Sequence, residues 1–335
     1  MEPFERVPLG RTSLRVSRLG LGTGALAGSR RRVTAEQANT ALHHAYDVGV
    51  RLFDTAPLYG HGQAEVRVGR ALGSLERDSF VLASKVGRLL VPYETPGANQ
   101  DYQDVPRDDG VPALGWVFDF SYDGVMRSVE ESLQRLGLDR IDVLHVHDPD
   151  NHGDAALDGA FKALDQLRRE GTIGAVGAGM NQAEMLARFA READFDCFLM
   201  AGRYTLLDQA ALPELLPICQ QKGIAIVVGG VHNSGILANL DNPERATFNY
   251  RPAEQRWLEK ARRIRVVCEE FGVPIQAAAI QFPLGHPVVA AVLTGAETPA
   301  ELNQNAEMMR LPIPSELWQA LKSDGLLDPD APIPS

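Results

Sequence analysis

The chain has 335 residues, of which 44% are hydrophobic and 23% charged, and a formal net charge of −11 at pH 7. This composition is typical of a globular protein with a sizeable core, and the length suits one large barrel domain or two average domains. The acidic balance, without a prominent lysine–arginine run, argues against a nucleic-acid partner or an anionic membrane surface.

Two further classes of protein are disfavoured. Residues 1–6 contain no apolar stretch typical of a signal peptide, and no apolar run reaches the roughly 18 residues of a membrane span. Cys197, Cys219 and Cys268 are widely spaced and form no CxxC pair, which argues against a disulfide framework and a cysteine-based zinc site. We therefore expect a cytoplasmic protein with reduced thiols and no metal, and no segment specifies an oligomeric state.

Short β-branched or apolar runs alternate with longer amphipathic stretches, which is typical of βα units around a parallel sheet. The predicted strands are Leu19–Thr23, Arg51–Asp54, Phe80–Ser84, Asp142–Val146, Ile173–Gly177, Cys197–Met200, Ile224–Val228 and Val288–Leu293. A first helix opens at Thr34, with Thr34 and Gln37 as a capping box. The later predicted helices are Gln63–Leu72, Tyr122–Leu136, Phe161–Glu170, Gln182–Glu192, Leu212–Gln221, Trp257–Phe271 and Thr298–Met309.

Eight such units predict an α/β fold, a single (β/α)₈ TIM barrel over residues 1–335, in preference to an open doubly wound sheet. Residues 311–335 form a Pro-rich C-terminal tail that looks less regular. Two connections, 87–121 after the third strand and 229–255 after the seventh, are too long for plain links. Both emerge at the C-terminal face of the barrel, where barrel enzymes keep their active sites, so we expect them to contact substrate and cofactor. The aromatic residues that could anchor the first loop are Tyr93, Tyr102, Trp116 and Phe118.

Four polar residues follow three neighbouring predicted strands. Asp54 ends the second strand, Lys85 follows the third, His147 follows the fourth, and Tyr59 lies just beyond Asp54. Each has an ordinary structural explanation when taken alone, but together they would meet at the barrel mouth. A tyrosine with a pKa near 10 is a poor acid or base at neutral pH. A neighbouring ammonium favours the phenolate, a carboxylate keeps that ammonium charged, and a histidine can hydrogen-bond a substrate oxygen.

The motifs around these residues resemble those of the aldo-keto reductase superfamily over nearly the whole chain. They are Phe53–Gly60, Ser84–Lys85, and Leu136–Asp142 leading to His147. The resemblance implies an NAD(P)-dependent oxidoreductase in which Tyr59 exchanges the proton. It further implies that Lys85 and Asp54 tune this tyrosine and that His147 orients the substrate.

Three other segments are similar to the D-threo-aldose 1-dehydrogenase group, which includes L-fucose dehydrogenases and, close by, pyridoxal 4-dehydrogenases. They are Phe118–Asp123, His147–Asp150 and Gly229–Leu237. This resemblance implies oxidation of the anomeric hydroxyl of a pyranose to a lactone. The candidate residues for lining the pocket of this small-molecule substrate are His61, Trp116 and His232. A pyridoxal 4-dehydrogenase and a general aldehyde or ketone reductase of the same family remain alternatives.

No G-x-G-x-x-G fingerprint follows the first strand. The barrel fold predicts instead a cofactor site in the loops after the seventh and eighth strands, with the N-terminus of the last helix facing a phosphate or ribose. The expected cofactor contacts are Gly22, Thr23, Asp54, Gly179, Asn181, Gly229, Asn233, Ser234, Gly235, Leu237, Gly295, Glu297, Glu301 and Asn305. Asn181 stands in a stretch where the family has a Ser-Asn that holds the nicotinamide amide. Gly229 stands where the family has an aromatic residue that stacks on the nicotinamide.

NADP-dependent relatives carry a lysine and an arginine where this chain has Gly295 and Glu301. Glu301, with Glu297 nearby, would repel the 2′-phosphate of NADP and leave the free ribose hydroxyls of NAD acceptable. We therefore predict NAD as the preferred cofactor. Glu301 can equally complete a capping box with Thr298, behind Pro299 at the first helical position, and both roles can hold together.

Two other classes of function are alternatives. A metal-dependent barrel hydrolase is suggested by His145 and His147, which alternate onto one face of the fourth strand, an arrangement found among ligands of a divalent metal. No further strand-end pair completes such a site, apart from Asp54. A nicotinamide-binding regulatory subunit is the other hypothesis, because the superfamily includes channel-associated β subunits. The complete set of Asp54, Tyr59, Lys85 and His147 favours an enzyme.

Overall fold

The structure is a computed structural model that describes residues 1–28, 31–101, 104–238, 240–242, 244, 246–249 and 251–334. Tyr102, one of the predicted loop anchors, lies outside these described residues. The strands, in chain order, are β1 (Arg6–Pro8), β2 (Arg15–Ser17), β3 (Leu19–Gly22), β4 (Leu52–Asp54), β5 (Val81–Val86), β6 (Arg88–Pro92), β7 (Leu114–Phe118), β8 (Val143–His147), β9 (Ala175–Met180), β10 (Cys197–Ala201), β11 (Ala225–Gly229), β12 (Thr247–Phe248), β13 (Arg251–Pro252) and β14 (Val289–Gly295).

The α-helices follow the barrel strands and form the outer layer. They are α1 (Ala35–Val48), α2 (Gln63–Leu72), α3 (Tyr122–Leu136), α4 (Gly153–Ala155), α5 (Lys162–Arg169), α6 (Ala183–Glu192), α7 (Leu215–Lys222), α8 (Gln255–Glu270), α9 (Ile275–Gln281), α10 (Pro299–Arg310) and α11 (Ser315–Ser323). A π-helical segment, Ala156–Phe161, joins α4 to α5. The predicted capping box at the start of α1 is confirmed, since Thr34 accepts from the Gln37 amide and Gln37 accepts from the Thr34 amide.

The barrel is closed in the order β3-β4-β5-β8-β9-β10-β11-β14, with β14 paired in parallel to β3. This confirms the predicted (β/α)₈ fold. Each predicted strand overlaps one barrel strand, although the ends differ by a few residues. The fifth, predicted at Ile173–Gly177, is Ala175–Met180, because the residues beyond Gly177 are an alanine, a glycine and a methionine, which carry little strand propensity.

The bottom of the barrel is covered by the antiparallel pair β1–β2. Val7 and Leu9 of this segment belong to the same buried apolar cluster as the inward-facing Leu52, Val143 and Leu199 of the barrel. Burial of this cluster seals the N-terminal end of the barrel from water. The C-terminal end, where β4, β5 and β8 finish, is therefore the end that receives a ligand.

The two long connections contain strands that the sequence did not predict. In the first, β6 and β7 form an antiparallel hairpin, and Asn99 exchanges backbone hydrogen bonds with Trp116. In the second, β12 pairs with β13. The first hairpin is held by apolar side chains, since Leu90 and Trp116 are buried. The sequence did not predict this hairpin because the segment between its strands is rich in glycine and proline, which is typical of an irregular loop.

The Pro-rich tail is more regular than the sequence indicated. It contains α11, which begins directly after Pro314, and Leu317, Trp318 and Leu321 of this helix are buried. The Trp318 ring lies 6.2 Å from that of Phe282, next to α9. A short helix between prolines has too few turns for a clear periodic signal, and its burial comes from the barrel that it packs on.

The three cysteines are buried and unpaired. Burial raises the pKa of each thiol, so the thiolate is disfavoured in all three positions. Among the residues described, we find no helix whose length and apolarity would let it cross a bilayer.

We expect Trp318→Ala to destabilise the protein by about 3–5 kcal/mol, because it removes a fully buried aromatic side chain from the contact between tail and barrel. The free energy of unfolding in urea measures this loss. Gln319→Ala, an exposed change on the same helix, is the control and should alter it by less than about 0.5 kcal/mol. Equal effects for the two variants would mean that the tail is not part of the folded core.

Candidate active site and cofactor cleft

A buried ion pair lies at the C-terminal end of the barrel. Lys85 Nζ donates to Asp54 Oδ1 at 2.6 Å and to the Thr55 carbonyl at 2.9 Å. The side chains of Lys85 and Asp54 are 2% and 4% exposed. Burial raises the pKa of Asp54, and the ammonium of Lys85 opposes that change. The contact at 2.6 Å keeps the carboxylate and the ammonium together at this position.

Tyr59 and His147 flank this pair. Lys85 Nζ lies 4.8 Å from the centre of the Tyr59 ring. The Tyr59 and His147 rings are 6.0 Å apart and almost perpendicular, at 89°. Tyr59 is half-buried and lines the open cleft described below. The structure therefore brings the four predicted catalytic residues together at one end of the barrel.

His147 is uncharged at neutral pH. Burial lowers its pKa well below the usual value, and the charges of Lys85 and Arg88 lower it further. Its Nε2 lies 3.5 Å from Asp148 Oδ2, and Arg88 donates to the same oxygen at 3.0 Å. A neutral imidazole carries one N–H donor and one acceptor, so His147 can donate a hydrogen bond to a substrate oxygen.

The strand register explains why these residues meet. Asp54 is the last residue of β4 and pairs with Ala83, two residues before Lys85 on β5. Lys85 in turn lies beside His145 of β8, and His147 beside Gly179 of β9. Alternate strand residues point into the barrel. A Cβ atom at Gly179 would lie 3.5 Å from Lys85 Cε, an ordinary van der Waals distance, so Gly179 lies directly beside the lysine side chain.

A cleft of about 1190 Å³ opens beside Tyr59. The predicted cofactor residues that line it are Asn181, Asn233, Ser234, Gly235, Gly295, Glu297 and Glu301. Within the described ranges, three buried atoms at its wall have no hydrogen-bond partner: Asn233 Oδ1, His232 Nε2 and Thr294 Oγ1. Unsatisfied buried polar atoms are costly unless a ligand or water bonds them. The wall therefore fits a large polar ligand such as a dinucleotide.

Several residues around the cleft have strained backbones. Positive φ angles occur at His61, Asp148, Asn233 and Ser234, with values of 47°, 40°, 47° and 61°. These residues follow β4, β8 and β11, all at the C-terminal end of the barrel. A non-glycine residue in this region costs about 1–3 kcal/mol and is found mostly where surrounding structure holds a functional site in place.

The remaining predicted cofactor residues do not line the cleft. Gly22 ends β3 and pairs with Asp54 on one side and Gly295 on the other. The Thr23 amide donates to the Asp54 carbonyl at 2.9 Å. Gly229 ends β11, Leu237 is buried, and Asn305 lies on α10. The residues of the wall that the sequence did not identify include Gly24, Ala25, Gly202, Thr294 and Arg31.

Arg31 is the most consequential of these. Its guanidinium bonds Glu297 at 2.8 Å and Glu301 at 2.7 Å. Glu301 also accepts from the Glu297 amide at 2.7 Å, while its own amide donates to Thr298 Oγ1 at 3.2 Å. Burial works against ionisation of Glu301, but these hydrogen bonds and the Arg31 charge outweigh it and hold its pKa below the usual value. The two glutamates that were predicted to repel a phosphate are thus partly neutralised.

The three predicted substrate residues occupy different depths. His232 lines the cleft, and burial lowers its pKa to about 4. His61 is buried and bonds the Leu114 carbonyl of β7 through Nδ1. Trp116 is also buried, and its Nε1 donates at 2.9 Å to Asp101, which lines the cleft. His61 and Trp116 therefore support the wall from behind in this structure.

Comparison with known proteins agrees with this geometry. The Aldo/keto reductase family matches residues 18–324. The chain belongs to this family. It is 40% identical to the pyridoxal 4-dehydrogenase of Microbacterium luteolum, over 98% of this chain and 99% of that protein. It is 41% identical to the D-threo-aldose 1-dehydrogenase of a Pseudomonas species, over 94% of this chain and 95% of that protein.

A solved structure shares the fold. The holo form of an aldo-keto reductase from Bacillus halodurans superposes with a TM-score of 0.74 at 25% identity, covering 96% of each chain. Aldo-keto reductases are oxidoreductases that use nicotinamide cofactors, so the aldo-keto reductase described here is an oxidoreductase. In the described part of the chain, no group of three or more His, Cys, Asp or Glu side chains is arranged to hold a metal ion.

His145 gives a test of the electrostatics beneath the site. Burial, with the charge of Lys85, lowers its pKa to about 3, whereas an unfolded histidine titrates near 6.5. Below pH 6.5 the unfolded chain binds a proton that the folded protein does not. This histidine therefore removes about 1.4 kcal/mol of stability per pH unit as the pH falls from about 6 to 4.

We expect His145→Leu to flatten the dependence of unfolding free energy on pH by that amount, measured by urea unfolding at several pH values. Cys197→Ala is the control, because Cys197 lines the same small internal cavity and its thiol does not titrate in this range. It should shift the curve without changing its slope. An unchanged slope in His145→Leu would contradict a neutral, buried His145.

Proposed function

We propose that this protein oxidises the anomeric carbon of an aldose, of the L-fucose or D-threo-aldose type, to the lactone, with NAD as the preferred cofactor. The observation that carries the proposal is the position of Lys85. Its ammonium contacts Asp54 at 2.6 Å and lies 4.8 Å from the Tyr59 ring centre. A positive charge next to a phenol favours the phenolate, which makes Tyr59 a usable base at neutral pH.

The proposed reaction uses each residue once. A nicotinamide cofactor held in the cleft would supply the acceptor for the hydride of C1. Tyr59 removes the proton from the C1 hydroxyl, and the C1–O bond becomes the carbonyl of the lactone. Neutral His147 donates a hydrogen bond to the same oxygen and fixes its distance from Tyr59. Lys85, held by Asp54, stabilises the tyrosine in the form that accepts the proton.

The fit of the cleft supports a dinucleotide. Its volume of about 1190 Å³ exceeds that of pockets for drug-sized ligands, which are roughly 300–1,000 Å³. Asn181, at the end of β9, lines the cleft and is the proposed partner of the nicotinamide amide. Gly229 has no side chain that could stack on the nicotinamide ring. The neighbouring Gly230, and not Gly229, lines the cleft.

The preference for NAD rests on the charges at Glu297 and Glu301. Together with Arg31 they form a group of net charge −1 at the cleft wall. An NADP phosphate carries about two negative charges at neutral pH, so it is repelled, whereas carboxylates accept hydrogen bonds from ribose hydroxyls. Use of NAD in turn favours the oxidative direction.

Pyridoxal is the second candidate substrate. The relative from Microbacterium luteolum that matches almost end to end is a pyridoxal 4-dehydrogenase. In water both an aldose and pyridoxal close to a cyclic hemiacetal, and removal of a hydride and a proton from either gives a lactone. The same four residues can perform both oxidations. The choice between the two substrates therefore depends on which ring, a sugar or a pyridine, fits the residues around the catalytic group.

The test mixes the protein with NAD⁺ or NADP⁺ and, separately, L-fucose, D-arabinose, L-galactose and pyridoxal. We expect sugar-dependent formation of reduced nicotinamide, read as near-ultraviolet absorbance, and a loss of at least about 10²-fold in kcat in Tyr59→Phe, since the general base is removed. Activity with pyridoxal alone would replace the first candidate by the second. Turnover of no substrate by a protein that binds NADH would favour the regulatory-subunit hypothesis.

Glu301→Arg tests the electrostatic basis of cofactor choice. We expect kcat/KM for NADP⁺ to rise by about tenfold or more relative to that for NAD⁺, because the change replaces a negative charge at the cleft by a positive one. Glu307→Arg makes the same charge change on an exposed part of α10 and serves as the control. A ratio that moves equally in both variants would reflect net charge and not a contact at Glu301.

A further inference from the structure

Arg31 occupies an unusual place in the cleft wall. The charged residues among the described lining are Arg31, Asp101, Glu297 and Glu301, so Arg31 is the one lysine or arginine of that set. A dinucleotide is an anion, and a guanidinium is the side chain best suited to bind phosphate oxygens. In this structure, however, its Nε contacts Glu297 and its Nη2 contacts Glu301.

The two glutamates are fixed more firmly than the arginine. Glu297 is 12% exposed and Glu301 36% exposed, while the Arg31 side chain is 66% exposed. Glu301 is also held by the Glu297 amide at 2.7 Å, and both residues flank the start of α10. Arg31 lies in the connection between β3 and α1 and has a long, flexible side chain. It can therefore leave the glutamates, whereas they cannot follow it.

Holding Arg31 in this way has a chemical consequence. A phosphate group in the cleft must compete with two carboxylates for the guanidinium, and it loses part of the binding energy in breaking their bonds. A ligand without that phosphate does not need Arg31, so its binding leaves the contacts between Arg31 and the glutamates intact and loses no binding free energy. The arrangement discriminates against an additional phosphate even though a phosphate-binding side chain is present.

We propose that Arg31 is a masked phosphate-binding residue, and that Glu297 and Glu301 exclude NADP mainly by occupying it. The proposal rests on the proposed function, in which the cleft takes a nicotinamide dinucleotide. It differs from simple repulsion in one respect. Most of the gain in NADP binding on removal of the glutamate charges then requires Arg31 to receive the phosphate.

The experiment is a mutant cycle read by direct binding of NADH and NADPH, through quenching of protein fluorescence or calorimetry, without any substrate. The variants are E297Q/E301Q, R31M, and the triple variant R31M/E297Q/E301Q, with E307Q as the control for charge on α10. We expect E297Q/E301Q to lower the Kd for NADPH by about tenfold or more, with a smaller change for NADH, because a charge-assisted contact becomes available. The triple variant should lose most of that gain. Circular dichroism and the unfolding midpoint establish that each variant is folded.

The outcomes separate the two ideas. A gain for NADPH that survives in the triple variant, or no gain in E297Q/E301Q, would overturn the role of Arg31 while NADH binding by the unmodified protein still supports the proposed function. If the unmodified protein binds neither NADH nor NADPH, the cleft is not the dinucleotide site and both proposals fall. A tenfold gain that disappears with R31M establishes the masked arginine.

Discussion

The contact between Asp54 and Lys85 is the constraint on which the active site depends. Both charges are almost completely withdrawn from water, and burying an ion costs several kcal/mol unless a partner lies close. The 2.6 Å contact between them and the Thr55 carbonyl at 2.9 Å supply that partner. Loss of either charge would leave the other buried alone. The closed barrel is what holds the ends of β4 and β5 in the register that this pair requires.

One buried positive charge also sets the state of its neighbours. The pKa of His147 and that of His145 are lowered by burial and then by Lys85, so both imidazoles are neutral. Tyr59 lies over the same ammonium, at 4.8 Å from its ring centre. Burial is thus the main reason that both imidazoles are neutral, and the ammonium that reinforces this effect also lies next to Tyr59, the proposed base. The cleft wall beside these residues combines the ends of β10 and β14 with the connections that follow the barrel strands.

Sequence reasoning found the parts of the molecule that repeat along the chain or stand at a strand end. The eight barrel strands follow from alternation of apolar runs and helices, and Asp54, Lys85 and His147 follow from their positions after those runs. It missed α9, since this Ala-rich helix is buried on nearly all sides and shows no amphipathic period.

Sequence reasoning also missed the β6–β7 hairpin, whose strands are far apart along the chain, and the role of Arg31. Three consecutive arginines, residues 30–32 in the first βα connection, were the available signal, but the ion pairs that give Arg31 its importance depend on contacts 270 residues away.

The bond from His61 to the Leu114 carbonyl ties two segments that do different work. His61 lies two residues after Tyr59, the proposed proton-exchanging residue, and Leu114 begins the strand that carries Trp116. A substitution that reshapes the hairpin is therefore expected to shift the backbone at His61 and the loop that carries Tyr59. With Tyr59 as the proposed base, the shape of the hairpin and the rate of turnover are coupled. Changes in the two segments will combine non-additively, and selection for a new substrate will have to alter them as a pair.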